Sequence, residues 1–241
     1  MRFLFKVLRH DPLSSSPPSF QDYVYETDEP KTVLEALMDI RDVQDPTLSF
    51  RYSCREAICG SCGMVINGKI GLACRTSLPS LGTSTVVVEP LPNLEVQKDL
   101  MVDMAPFWEA LNRIEPFLHF GLEPPETGHR IDEREMERID QFINCILCAC
   151  CYSACPVTGR DDRYLGPAAL AKLYRFVRDP RDRRAFENWS RINTEAGVWG
   201  CDTVFRCNDV CPRRVRPADG IEGLRRKIVA GKIKRLFFRK P

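Results

Sequence analysis

No run of about 18 apolar residues occurs in the 241-residue chain, so the sequence supplies no membrane-spanning helix of its own. Histidine is nearly missing. Only His10, His119 and His129 are present, each in an isolated context, which argues against a histidine-rich metal site or a histidine-based catalytic group. No flavin or nucleotide fingerprint occurs, and no catalytic residue is assigned. The opening MRFLFKVLRH is too short in its apolar part and is broken by Lys6, and no small-residue cleavage site comes after it. That pattern predicts an untargeted, unexported protein, most simply a bacterial cytoplasmic one.

Acidic residues are missing from one place in particular. LRRKIVAGKIKRLFFRKP, at 224–241, has eight basic residues and no acidic one. The net charge is only +2, yet residues 1–105 hold ten Lys/Arg against fourteen Asp/Glu, and the remainder holds twenty-five against nineteen. A basic tail suits an anionic membrane face. Ile221, Leu224 and Ile228 would equally let that helix pack on its own domain. Nucleic acid is excluded as a partner by the acidic N-terminal half and by the density of cysteine motifs.

Cysteine is the residue in excess, at twelve. Without an export signal, a disulfide framework is not expected, which leaves metal or cluster ligation and redox chemistry. Cys54-x4-Cys59-x2-Cys62-x11-Cys74 has the spacing of a plant-type [2Fe–2S] loop, in which four thiolates converge on two irons. Gly60 and Gly63 fall where the backbone would curl around the cluster and offer its N–H groups to sulfur. Arg55 and Arg75 would help to balance the negative charge. Zinc sites draw on symmetric C-x2–4-C pairs, and this loop does not.

CILCACCYSACP, at 145–156, contains Cys145-x2-Cys148-x2-Cys151-x3-Cys155-Pro156. This is the bacterial ferredoxin run, in which three cysteines serve one cluster and the fourth serves its neighbour. CDTVFRCNDVCP, at 201–212, repeats the frame with Val204 at the second ligand position. Cys145, Cys148, Cys151 and Cys211 then make a [4Fe–4S] set. Cys155, Cys201 and Cys207 make a three-thiolate set, for which [3Fe–4S] is the natural product. Cys150 is out of register and reads as a buried thiol behaving as a small apolar side chain.

Elsewhere, Phe3, Phe5 and Val7 alternate as in a half-buried strand, with FQDYVYETD at 20–28 as its hairpin partner. KTVLEALMDI has amphipathic helical spacing, Asn67-Gly68 marks a tight hairpin, and TVVVEP at 85–90 reads as a buried strand. Leu100, Met104, Phe107, Trp108, Leu111, Ile114 and Phe117 recur at helical spacing across 98–118 and read as core. EPPETGH at 123–129 reads as a loop, DEREMERIDQFINCILC as a helix entering the cysteine cluster, and Pro167 as the opening of another helix. The boundary is placed near 105, mixed α+β before it and mostly helical after it.

SFRYSCREAICGSCGMVINGKIGLAC, CILCACC, YLGPAAL and CNDVCP, in this order, resemble the iron–sulfur subunit of succinate dehydrogenase and fumarate reductase. The resemblance covers nearly the whole chain. It implies an α+β protein, with an N-terminal β-grasp [2Fe–2S] ferredoxin domain over 1–105. An α-helical bacterial-ferredoxin-like domain over 106–241 would carry [4Fe–4S] and [3Fe–4S]. It implies electron transfer between FAD of a flavoprotein subunit and quinone at a membrane anchor, at the cytoplasmic face of a bacterial inner membrane. Pro156 and Val204 would be quinone-proximal. Many ubiquinone-using relatives have a tryptophan after the first Cys-Pro and a histidine after the first cysteine of the second run. This chain has no such tryptophan and has Asp202, a departure that points to menaquinone and to the fumarate reductase side. The alternatives are a fumarate reductase subunit, quinol-dependent or using another donor, and a metal-stapled binding module without redox function.

Overall fold

The computed structural model describes residues 1–14, 16–120, 128, 130–184, 189 and 191–237, with side chains to Ile233 in the last helix. The loop expected at 123–129 falls almost wholly outside the described residues. In chain order the elements are β1 (Arg2–Arg9), β2 (Ser19–Glu26), α1 (Val33–Val43), β3 (Gly63–Ile66), β4 (Lys69–Leu72), β5 (Thr85–Glu89), β6 (Val96–Lys98), β7 (Met101–Val102), α2 (Ala105–Asn112), α3 (Glu133–Ile143), α4 (Cys150–Ser153), α5 (Gly166–Arg178), α6 (Arg206–Asp209) and α7 (Pro217–Phe237). Among the described residues, no helix is long and apolar enough to cross a membrane.

The chain divides into two compact units. Met1–Ala105 and Ile146–Ala154 form one; Pro106–Cys145 and Cys155–Pro241 form the other. Residues 146–154, inside the segment expected as 106–241, group with the first unit. The physical reason is the absence of two side chains. A Cβ on Gly60 would lie 2.7 Å from Cys148 Cβ and 2.9 Å from Ile146 O, and one on Gly63 would lie 3.1 Å from Cys148 O. Bare backbone at 60 and 63 lets 146–150 pack down onto it.

The first unit is built on a five-stranded sheet of order β2-β1-β5-β3-β4. β1 and β2 are antiparallel with Phe3 opposite Tyr25, and β1 and β5 are parallel with Phe5 opposite Val86. The alternation in β1 buries Phe5 and Val7 completely, together with Val86 and Val88 of β5. Asn67 and Gly68 join β3 to β4 with φ of 46° and 74°, the pair of left-handed residues a two-residue hairpin needs. α1 opens on a capping box. Glu35 N–H donates to Thr32 Oγ1 at 3.3 Å, and the Thr32 N–H donates to the Glu35 carboxylate at 2.8 Å. Such a cap contributes about 1 kcal/mol.

The helix expected across 98–118 is shorter. β6 and β7 form an antiparallel pair before it, and only α2 is helical. The cause is Asp99, which adopts φ 49° and accepts hydrogen bonds from Arg9 Nε at 3.0 Å, His10 N at 3.1 Å and Ser49 N at 2.9 Å. Those partners fix a turn where the apolar spacing suggests a helix. Leu100, Met104, Phe107, Leu111 and Ile114 are buried as expected, whereas Trp108 and Phe117 are 42% and 58% exposed.

In the second unit α5 packs against α3 and α7, and Pro167 sits in the first turn of α5. α3 opens on its own capping box, Asp132 with Glu135. Ile221, Leu224 and Ile228 of α7 are fully buried, so the apolar face of the basic tail packs on its own unit. Lys227 Nζ donates to Val177 O at 3.2 Å near the end of α5.

Candidate metal centres

All twelve cysteines are described, and none is in a disulfide. In the first unit the 54–62 loop turns its amides onto sulfur. Cys54 Sγ accepts from Glu56, Ile58 and Cys59 N–H at 3.4, 3.3 and 3.2 Å. Cys59 Sγ accepts from Cys54 N–H at 3.4 Å, Cys74 Sγ from Ala57 N–H at 3.3 Å, and Cys62 Sγ from Cys74 N–H at 3.5 Å. Arg55, Ala57 and Gly60, with φ of 63°, 56° and 74°, make that inward curl. A nest of amides aimed at four sulfurs is what an anionic iron–sulfur group requires, and the donor set fits it. Gly63 does not share in the curl, since it begins β3 and serves close packing instead.

Burial pushes the Cys59 thiol up, but hydrogen bonds from Ser61 and Cys54 outweigh it and leave Cys59 at about 6. Burial dominates at Cys62 and takes it up to about 12. The inward positive charge comes from Arg51, which is half-buried, donates to Ser61 O at 3.4 Å and interacts with Cys59. Arg55 and Arg75, the arginines suggested by sequence, are exposed. Arg51 precedes the motif, and nothing in the spacing marks it.

Also in this unit are Cys148, Cys150 and Cys151, all buried. Asn93 Nδ2 donates to Ser153 O at 2.8 Å, tying α4 down. Cys150 has no exposed surface, and its Sγ would lie 3.5 Å from a Cβ on Gly63. Its hydrogen bond to the Cys148 sulfur holds Cys148 below the ordinary thiol value. Cys150 is therefore buried as expected but more than an apolar filler.

In the second unit Cys145 and Cys211 pack against the same small core, Phe142, Ala171 and Val215. Tyr174 joins them, its ring edge-on to Phe142 at 5.0 Å. Two cysteines far apart in sequence thus pack against one small core.

Cys155, Cys201 and Cys207 line one small cavity together with Val204, Tyr164 and Asp202. Pro156 is not among its lining residues. Burial pushes Cys207 up to about 12, and the nearby Cys201 and Cys155 sulfurs push it the same way. Cys201 Sγ accepts from Thr203 N–H at 3.4 Å. Asp202 is paired with Arg160 at 2.6 Å.

The two runs share a backbone signature. After Cys145, Leu147 and Ala149 have φ of 56° and 63°; after Cys201, Thr203 and Phe205 have φ of 57° and 60°. A single helical turn succeeds each at the same offset, α4 and α6. Val204 therefore occupies the position that Cys148 holds in the first run.

Arg225 holds the second run in place. Its guanidinium donates to Val198 O at 2.9 Å, Thr203 Oγ1 at 3.0 Å and Cys201 O at 2.6 Å, and pairs with Glu222. Arg225→Ala strands these acceptors and is expected to cost about 2–4 kcal/mol. Thermal melting of the variant checks this; an unchanged midpoint would show that the clamp contributes nothing.

Comparison with known proteins gives the class first. Residues 4–109 match the model of a 2Fe-2S iron-sulfur cluster binding domain, and residues 141–215 match that of a 4Fe-4S dicluster domain. These matches place the chain among iron–sulfur proteins. It is 40% identical to the succinate dehydrogenase [ubiquinone] iron-sulfur subunit 1, mitochondrial, of Oryza sativa subsp. japonica, over 92% of this chain and 80% of that one. It is also 40% identical to the fumarate reductase iron-sulfur subunit of Mycobacterium tuberculosis, over 98% of this chain and 97% of that one. The chain belongs to the family of succinate dehydrogenase and fumarate reductase iron–sulfur subunits. Its fold is that of a chain in the Mycobacterium smegmatis Sdh1 complex in the apo form, with a TM-score of 0.86 at 24% identity, over 96% of this chain and 97% of that one.

Proposed function

We propose that this chain is the electron-transfer subunit of a membrane-bound succinate:quinone oxidoreductase, with a β-grasp [2Fe–2S] domain and a helical domain after it. When bound, [2Fe–2S], [4Fe–4S] and [3Fe–4S] clusters supply one-electron carriers between FAD of a flavoprotein partner and quinone at a membrane anchor. Cys54, Cys59, Cys62 and Cys74 hold the first. Cys145, Cys148, Cys151 and Cys211 hold the second. Cys155, Cys201 and Cys207 hold the third. The observation that carries this reading is the repeated backbone signature of the two runs, with a cysteine at 148 and a valine at 204.

The quinone end is assigned to the cavity at Val204. Val204 and Phe205 are 50% and 46% exposed, and Arg206, Arg213, Arg214 and Arg216 are exposed beside them in the chain. An apolar knob among arginines suits an anchor subunit at an anionic membrane face, the cytoplasmic face of a bacterial inner membrane. Asp202 stands where many ubiquinone users have histidine, and no tryptophan comes shortly after the first Cys-Pro, which favours menaquinone.

The test is purification of the complex from membranes. About nine iron atoms per chain are expected from the three ligand sets, with a three-iron EPR signal in the oxidised sample and further signals after dithionite. Succinate should reduce quinone in the same preparation. A colourless protein silent to dithionite would overturn the reading in favour of a metal-stapled module.

A further inference from the structure

Tyr164 lies in the second unit, just before α5. It is 1% exposed, and its buried phenolic oxygen makes no well-formed hydrogen bond, with the Cys201 sulfur the group within its reach. A buried hydroxyl is rarely left in that condition, because desolvating a donor without replacing its bond is costly. The ring lines the cavity formed by Cys155, Cys201 and Cys207. Its position is fixed from the backbone. Tyr164 N donates to Asp161 O at 3.2 Å, and Leu165 N donates to Ala196 O at 2.9 Å. A Cβ on Gly200 would lie 3.2 Å from the ring, so the tyrosine is wedged against the residue preceding Cys201. The hydroxyl is a hydrogen-bond donor in a cavity whose lining includes three cysteines.

We propose that Tyr164 donates its phenolic hydrogen to a sulfur of the cluster held by Cys155, Cys201 and Cys207 and thereby raises that cluster's reduction potential. The inference rests on the cluster assignment made above. Reduction adds negative charge to the cluster, spread over its sulfurs. A fixed donor stabilises the reduced form more than the oxidised form, and hydrogen bonds to sulfur are among the determinants of cluster potential. The effect is to favour an electron resting at the last carrier, next to the quinone.

The experiment is Tyr164→Phe in the intact complex, read by redox-poised EPR and by exchangeable-proton couplings compared in H2O and D2O. The expected result is a three-iron signal of wild-type intensity whose midpoint moves to lower potential. One exchangeable coupling is lost, and the midpoint of the [2Fe–2S] signal stays in place. An unchanged midpoint with unchanged couplings overturns the role of Tyr164 and leaves the cluster assignment standing. Absence of any three-iron signal in the wild-type complex overturns the assignment itself, and the inference with it. Should the variant fail to assemble, the wild-type chain with 3-fluorotyrosine in place of tyrosine decides the question. Its more acidic phenol is a stronger donor, so the three-iron midpoint rises if Tyr164 acts as proposed and stays put if it does not.

Discussion

Val204→Cys is expected to abolish the oxidised three-iron EPR signal and to replace it with a four-iron cluster that is paramagnetic only when reduced. Thr203 and Phe205 already have the left-handed conformations that flank Cys148 in the first run, so no backbone change is required for a sulfur at 204 to take a ligand's place. The side chain is half exposed, and substitution at such a position usually changes stability by less than about 0.5 kcal/mol. The effect is therefore electronic rather than structural. The converted site should have a lower potential, and the rate of succinate-dependent quinone reduction should fall. EPR of the oxidised variant checks the outcome directly. A three-iron signal that persists at full intensity would mean that the valine is not what leaves the fourth corner open.

Gly60→Ala is expected to be the most damaging single-methyl change in the first unit. The φ of 74° alone costs an L-residue about 1–2 kcal/mol. The new Cβ would also meet Cys148 Cβ at 2.7 Å, Cys148 Cα at 2.9 Å and Ile146 O at 2.9 Å. Two of those three atoms are backbone and cannot rotate away, so overpacking adds about 1–3 kcal/mol. The sum is a large share of the stability of an ordinary domain. Gly68→Ala is the control. It has the same φ of 74° but nothing within 4 Å of the added Cβ, so only the conformational cost remains. Thermal melting of the two variants, with iron content measured alongside, separates the effects. Equal midpoints would show that 146–148 do not press on Gly60.

The chemistry of this chain is written in its spacing, and the spacing could be read directly. The position of Val204 in the second run comes from counting, because iron–sulfur ligation demands sulfur at set offsets, and the backbone repeats at those offsets. Short-range geometry was equally legible. Asn67-Gly68 can make little other than a tight hairpin, and the apolar spacing of KTVLEALMDI gives the helix that Thr32 and Glu35 cap. Other features escaped because distant partners set them. Asp99 is a turn because Arg9 and Ser49 reach it from elsewhere in the chain, so the apolar spacing around it implied a helix that does not form there. Arg51, rather than Arg55 or Arg75, faces inward because of how the loop folds back. Tyr164 stands within YLGPAAL as one aromatic among apolar residues, and only the fold reveals that its hydroxyl ends among cysteines.

The exchange of 146–154 into the first unit bears on how the chain is made. A ribosome releases residues 1–105 well before Ile146, yet Gly60 and Gly63 take their nearest contacts from the later segment. The packing of the first unit is therefore complete only once residue 154 has been made. During that interval the cysteine loop is open on one side. Gly60, within that loop, gains the backbone that lies against it only at this later stage.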